Sequence, residues 1–301
     1  MVDLICVYAI FAGVFVFGKK AVLNSDPFFL TAVRLIPAGF LLVVFSRLLR
    51  ESLPKIKRKT IPLFAGLALF YFLMDAFRFI SLKYVPASHA ALLSSLTPFI
   101  TALVAHLMFK EVFPFKKLAA LFLGLVAVLP LMIQNLQRST APSAETSFQV
   151  VTGYAAMLVC VLSIVFAVFL LKEILEKEKY PVIFSMGTAL FFGGCASCIV
   201  SFFLEPWNPL PLRNPQETVP LILFIFVTHN MISQPLYGYL VRKYPVTLVT
   251  FASLVTPITS AILSFFLYDQ PIGYTFTFSV VTLAAAFFLF YHEEKKEGLI
   301  H

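Results

Sequence analysis

Charge is the scarcest feature of this chain: only 13% of its 301 residues are Asp, Glu, Lys or Arg, where soluble domains carry about 25%. Low charge with 60% hydrophobic residues excludes a disordered chain, which needs the opposite balance. Four cysteines are too few for a disulfide scaffold, and 12 glycines without a period exclude collagen-like repeats. What is abundant is apolar side chain, with a mean hydropathy of +0.91. Water does not tolerate that much exposed apolar surface, so the composition points to a polytopic membrane protein. Ten spans of about 20 residues would use about 200 positions. The net charge of +8 is spread as short basic runs between apolar stretches. It is not gathered on one solvated face, so nucleic acid is not an expected partner.

Apolar runs fall at 2–17, 28–45, 61–80, 88–109 and 117–133, then at 151–171, 182–204, 220–240, 246–268 and 274–291. Helices are the one unclosed structure that satisfies its own backbone in lipid. The expectation is an all-α integral membrane protein with ten transmembrane helices. Residues 1–134 form a first five-helix unit, 135–150 a polar linker, 151–292 a second unit, and 293–301 a charged cytoplasmic tail. The first run lacks a basic leader and an A-x-A-like cleavage site, so it reads as a retained helix. Placing the N-terminus in the cytoplasm puts 16 Lys and Arg in inside loops and 5 outside, which favours both termini inside. All four cysteines (Cys6, Cys160, Cys195, Cys198) lie in apolar runs. The Cys195–Cys198 pair has no second pair and no histidine, so it reads as packing rather than a metal or redox site.

A shift of 159 positions lays 82–102 on 241–261: Lys83 meets Arg242, Pro86 meets Pro245, Ser94 meets Ser253, Thr97 meets Thr256 and Pro98 meets Pro257. Five helices is an odd number, so a second copy enters the membrane upside down. Inverted repeats around a midplane site are a common architecture of secondary transporters.

On these residues the chain resembles the drug/metabolite transporter superfamily, in its ten-helix EamA-type branch. The resemblance is carried by DPFFLTAVRLIPAG (26–39), ISLKYVPASHAALLSSLTPF (80–99) and LMFKE ending at Glu111. YDQP (268–271) departs from the family's preference for Glu, and the Gly-rich pattern of the tenth helix is missing. The resemblance implies a multi-pass carrier in a bacterial inner membrane. Some relatives in intracellular bacteria carry S-adenosylmethionine. On that reading Asp75 takes the cation and Arg34 the carboxylate.

The residues themselves point to one depth. Thr97 and Thr256 fall near mid-membrane, and Pro98 and Pro257 would free the carbonyls of Ser94 and Ser253. Irregular backbone is tolerated there beside a cavity or packed protein; both readings, a lined cavity and a simple packed kink, stay open. Arg34 and Asp75 are placed about 8–9 Å below the outer boundary, from six and five residues at roughly 1.5 Å each, with Arg78 three residues beyond Asp75. Such charges face the interior and pair. The choice is between a structural bridge and a positive pocket for a carboxylate. His229, Asn230 and Gln234 in THNMISQP form a further polar group, with Pro235 as a third kink and Tyr237 as the candidate cavity ring. His89 and His106 are placed near helix ends in reach of water, and His292 and His301 in the tail.

Gly13 to Lys20 nearly writes a P-loop, but Lys20 stands where a hydroxyl is needed and no strand precedes it. No metal-spaced cluster, nucleophile elbow or dinucleotide motif occurs, so no cofactor and no metal are expected. The expected function is a secondary carrier moving a small polar metabolite, zwitterionic or anionic at one end, such as an amino acid or an amino-acid-bearing nucleoside, by alternating access. Its partners are that substrate, the bilayer, and protons or an exchanged substrate. The alternatives are a passive channel or facilitator, and an intramembrane enzyme.

Overall fold

The computed structural model describes residues 2–49, 56–109, 115–138, 144–244, 246–268 and 273–296, and among them there is no β-strand. The helices are α1 (Val2–Leu23), α2 (Pro27–Leu48), α3 (Ile61–Tyr84), α4 (Ala87–Ser94), α5 (Thr97–Phe109), α6 (Phe115–Arg138), α7 (Ala144–Glu176), α8 (Val182–Leu204), α9 (Pro215–Ile225), α10 (Gln234–Lys243), α11 (Val246–Phe251), α12 (Val255–Tyr268) and α13 (Tyr274–Lys296). A wide π-type segment, Phe226–Ser233, joins α9 to α10, and a 3-10 turn, Ala252–Leu254, joins α11 to α12. Three passes are therefore broken (α4 with α5, α9 with α10, α11 with α12), and the elements make ten passes. Seven described segments are long and apolar enough to cross a membrane, and parts of α12 and α13 form two shorter apolar helices.

Contacts between loops sort the helix ends onto two faces. Lys57 N–H donates to the Tyr180 hydroxyl at 3.1 Å, and Lys59 pairs with Glu178 at 3.1 Å. The α2–α3 and α7–α8 connections therefore share the face where α1 begins, here called the N-terminal face. Ser25 Oγ donates to the Pro211 carbonyl at 2.8 Å, and Arg213 N–H to the Asn24 carbonyl at 2.8 Å. The α1–α2 and α8–α9 connections thus share the far face. There Glu205 accepts from Phe28 N–H and Phe29 N–H, both at 2.7 Å, capping α2 across the molecule. A carboxylate at a helix N-terminus meets unpaired donors and the positive end of the dipole.

Two lysines do matching work at opposite faces. Lys19 Nζ donates to the Leu82 carbonyl at 2.6 Å, closing the end of α3 on the far face. Lys172 Nζ donates to the Tyr244 carbonyl at 3.0 Å, closing the end of α10 on the N-terminal face.

The seam between α2 and α8 is built on small residues. A Cβ at Gly39 would lie 2.2 Å from the Phe191 nitrogen, and one at Gly194 would lie 2.7 Å from the Ile36 nitrogen. Backbones this close are the packing device of membrane helices, which lack a hydrophobic drive to associate. α3 lies along α7 and α8, α6 along α13, and α1 packs against α3, α4, α9 and α12.

Several boundaries differ from the sequence reading. The 135–150 linker is mostly helix, because α6 runs on to Arg138 and α7 starts at Ala144. The basic pair Lys19–Lys20 lies inside α1 rather than after it, and α13 continues through Lys296 into the expected tail. Polar residues extend helices past the apolar core because backbone pairing does not stop where hydropathy does. Glu111, Pro245, residues 269–271 and His301 lie outside the described residues.

Candidate functional site

α1, α3, α4, α5, α7, α10, α12 and the two irregular segments surround a cavity with about 680 Å³ of atom-free space. α1 contributes Tyr8, Phe11 and Phe15, and α3 contributes Tyr71, Met74 and Arg78. Both sets have the i, i+3, i+7 spacing of one helix face. Tyr237 packs edge-on to Tyr8 at 6.3 Å, and Phe11 packs edge-on to the His229 ring at 4.9 Å. Ser94, Thr97, Ser253 and Thr256 bring hydroxyls from the broken passes, and α7 closes the wall with Ile164, Ala167, Val168 and Leu171.

The prolines begin helices rather than bend them. Pro98 is the second residue of α5, Pro235 the second of α10 and Pro257 the third of α12. A missing N–H is harmless in a first turn, so the breaks lie just upstream. In the first half, Ser95 and Leu96 N–H groups turn back to Leu92 and Leu93 carbonyls at 3.1 and 3.0 Å. The Ser94 carbonyl, expected to be free, accepts the Thr97 hydroxyl. In the ninth pass the 3-10 turn occupies the matching place. In the eighth, the widened turn precedes Pro235: Gln234 N–H reaches the His229 carbonyl and Ser233 Oγ the Thr228 carbonyl at 2.9 Å. π-type turns recur at functional sites.

The charges form one buried cluster. Asp75 Oδ2 accepts from Arg34 Nη2 at 2.9 Å, and Asp75 Oδ1 accepts from Arg78 Nη1 at 2.7 Å. Arg34 spends its other donors on the Leu30 carbonyl at 3.2 Å and Asn230 Oδ1 at 3.1 Å, with its guanidinium 4.6 Å from the Phe79 ring centre. It is 0% exposed. Arg78 differs: it lines the cavity above Phe15, and its Nε is buried without a partner. Among the described residues Asp75 is the one carboxylate paired with either guanidinium, so the cluster keeps one positive charge.

A second polar chain crosses the cavity wall. The Tyr71 hydroxyl donates to Gln234 Oε1 at 3.4 Å, and Gln234 Nε2 meets His229 Nε2 at 3.3 Å. His229 Nδ1, Asn230 Nδ2 and Ser253 Oγ are buried and unpartnered.

Of the residues singled out in the sequence, Arg78, Ser94, Thr97, His229, Gln234, Tyr237, Ser253 and Thr256 meet around this cavity. Arg34, Asp75 and Asn230 stand behind its wall. Asp75 lies further from its helix end than expected, whereas Arg34 is seven residues from the start of α2. α3 runs to Tyr84, which puts Asp75 nine residues, about 14 Å, from the helix end. His89 is buried, not water-exposed, and pairs with the Tyr154 hydroxyl at 3.1 Å. The sequence reading passed over Tyr8, Phe11, Phe15, Tyr71 and Met74. Their shared helix spacing was the available signal.

The EamA-like transporter family model matches residues 2–133 and again 151–291. This chain belongs to the EamA-like transporter family. It is a multi-pass membrane transporter for a small molecule, not an enzyme. An S-adenosylmethionine/S-adenosylhomocysteine transporter of Chlamydia muridarum is 25% identical over 292 residues, covering 97% of this chain and 91% of the relative. The transporter of the same name from Chlamydia trachomatis serovar L2 is 26% identical, covering 97% and 88%. An uncharacterized transporter of Archaeoglobus fulgidus is 25% identical, covering 92% of each chain. One solved crystal structure shares the fold with a TM-score of 0.67 at 16% identity, covering 95% of both chains.

Proposed function

We propose that this transporter carries S-adenosylmethionine and S-adenosylhomocysteine, and that it does so by alternating access. The observation that carries the reading is a single cavity in which aromatic rings face one guanidinium with a donor to spare. Tyr and Phe rings offer stacking surface to a nucleoside base and a negative face to a sulfonium. Arg78, with Nε unpartnered, is the receptor for the amino-acid carboxylate, a charge-assisted bond. The hydroxyls of Ser94, Thr97, Ser253 and Thr256 suit a ribose. Each Asp75 oxygen already accepts from an arginine, so on this reading the aromatic rings take the substrate cation. The names of the chlamydial relatives point to the same solutes.

The two units, 1–134 and 151–292, are taken as oppositely oriented copies that rock around the cavity. Supporting this are the 159-residue offset and the lysine caps, which repeat at opposite faces. The surplus of basic residues in loops assigned to the N-terminal face supports a cytoplasmic location for that face, and a bacterial inner membrane is the setting taken here.

Uptake into liposomes containing the purified protein tests the reading. Labelled S-adenosylmethionine should enter saturably, and faster when S-adenosylhomocysteine is loaded inside. Saturable uptake of another metabolite, with no competition from either compound, overturns the substrate. Flux that does not saturate overturns the carrier and favours a facilitator.

A further inference from the structure

Most buried hydroxyls are partnered, and near the far face Thr31 donates to the Pro27 carbonyl at 2.9 Å and Ser197 to the Phe28 carbonyl at 2.8 Å. Toward the N-terminal face the same holds: Ser46 donates to Val43 at 3.1 Å, Thr60 to Lys57 at 2.9 Å and Ser185 to Pro181 at 2.8 Å. Among the described residues six buried hydroxyls have no partner: Ser81, Thr218, Ser253, Ser260, Ser264 and Ser279. Ser253 lines the cavity, and the other five lie between the cavity and the far face. Ser81 is three residues from the end of α3, Thr218 three from the start of α9, and Ser264 four from the end of α12.

Three of these extend the cavity wall at helical spacing. On α3 the lining stripe Tyr71, Met74, Arg78 continues to Ser81. On the ninth pass Ser253 and Thr256 continue to Ser260 and Ser264. Ser81 and Ser260 are 0% exposed and Ser264 1%. Followed the other way, the α3 stripe becomes Leu67 and Phe64, both buried and apolar. A buried hydroxyl left without a partner is costly, and more so in a dry interior. A row of them leading out of a cavity makes sense where water visits part of the time. In this structure α1 and α4 fill the space between α3 and α12: each packs against both, and against the other.

We propose that solute passes between the cavity and the far face through a channel lined by Ser81, Ser260 and Ser264, opened when α1 and α4 separate. The proposal rests on the carrier reading above, and its labelling rates are read separately from uptake of S-adenosylmethionine.

Ser81→Cys, Ser260→Cys and Ser264→Cys are made in a background with Cys6, Cys195 and Cys198 replaced by serine. Each is reconstituted in vesicles and treated with a charged methanethiosulfonate. Ile262→Cys, 47% exposed on the outside of α12, is the control in lipid. The thiolate is the reactive species and needs water, so the passage positions should react about tenfold faster than Ile262→Cys, and saturating S-adenosylhomocysteine should alter that rate. Three positions on two helices keep the test intact if one variant fails to fold. Passage thiols that react no faster than the control, in vesicles that still take up solute, overturn the passage and leave the carrier standing. Fast labelling without any solute uptake keeps the passage and removes the carrier reading. A Ser260→Leu plug should cut uptake at least tenfold while solute still binds; unchanged uptake also overturns the passage.

Discussion

Corresponding positions of the two halves lie on or just behind the wall of one cavity and are furnished differently. At an offset of 159, Asp75 corresponds to Gln234, Arg78 to Tyr237, Ser94 to Ser253 and Thr97 to Thr256. The first half supplies charge: Arg34, Asp75 and Arg78 are one ionic cluster within it. The second half supplies neutral polar groups and a phenol at those places. The hydroxyls diverge as well. In the first half Ser94 donates to the Ala91 carbonyl at 2.6 Å and Thr101 to the Thr97 carbonyl at 2.8 Å, whereas Ser253 and Ser260 at the matching positions are unpartnered. A duplicated scaffold thus gives a cavity with a charged wall and a neutral one. On the proposed reading, such a site orients a substrate that is charged at one end.

The comparison breaks most severely at Asp75. Asp75→Asn leaves two guanidiniums buried without an anion, and losing one partner of a buried ion pair costs about 3–5 kcal/mol. The thermal midpoint in detergent should fall sharply. Gln234→Leu, at the corresponding neutral position, removes only neutral hydrogen bonds and should cost about 1 kcal/mol. Equal losses would mean that the two walls do not differ as described.

Arg78→Gln comes next. A hydrogen bond to a charged group contributes about 1.5–3 kcal/mol, so binding of S-adenosylhomocysteine should weaken tenfold or more by calorimetry. Tyr237→Phe should weaken it severalfold less. The seam between the halves can be attacked separately: Gly39→Val drives a side chain into the α8 backbone and should cost about 1–3 kcal/mol of overpacking in the same melting assay. The smallest effect sharpens the contrast of hydroxyls. Ser94→Ala frees an acceptor in its own helix, while Ser253→Ala deletes an orphan. Melting should move down by about 1 kcal/mol or less for Ser94→Ala and stay level or rise for Ser253→Ala.

Much of this was legible in sequence because lipid imposes a simple grammar. Apolar runs gave the helical passes, and Thr97-Pro98 and Thr256-Pro257 gave the depth of the breaks. Depth is read along one helix, whereas a wall needs the rotation of several helices at once. For that reason Arg34, Asp75 and Asn230 were grouped with the cavity when they stand behind it. The aromatic stripe Tyr8, Phe11, Phe15 was lost among 46 Phe and Tyr residues. The widened turn at Phe226–Ser233 has no residue signature beyond its polar content, and the Glu205 and Lys19 caps join positions 177 and 63 residues apart.

The most direct test of the central claim is a binding cycle on the purified transporter. Wild type and Arg78→Gln are each titrated with S-adenosylhomocysteine and with its decarboxylated analogue. Wild type should prefer the carboxylate-bearing compound by tenfold or more, and Arg78→Gln should lose that preference while still binding the analogue. A wild-type protein that binds both compounds equally would contradict the account.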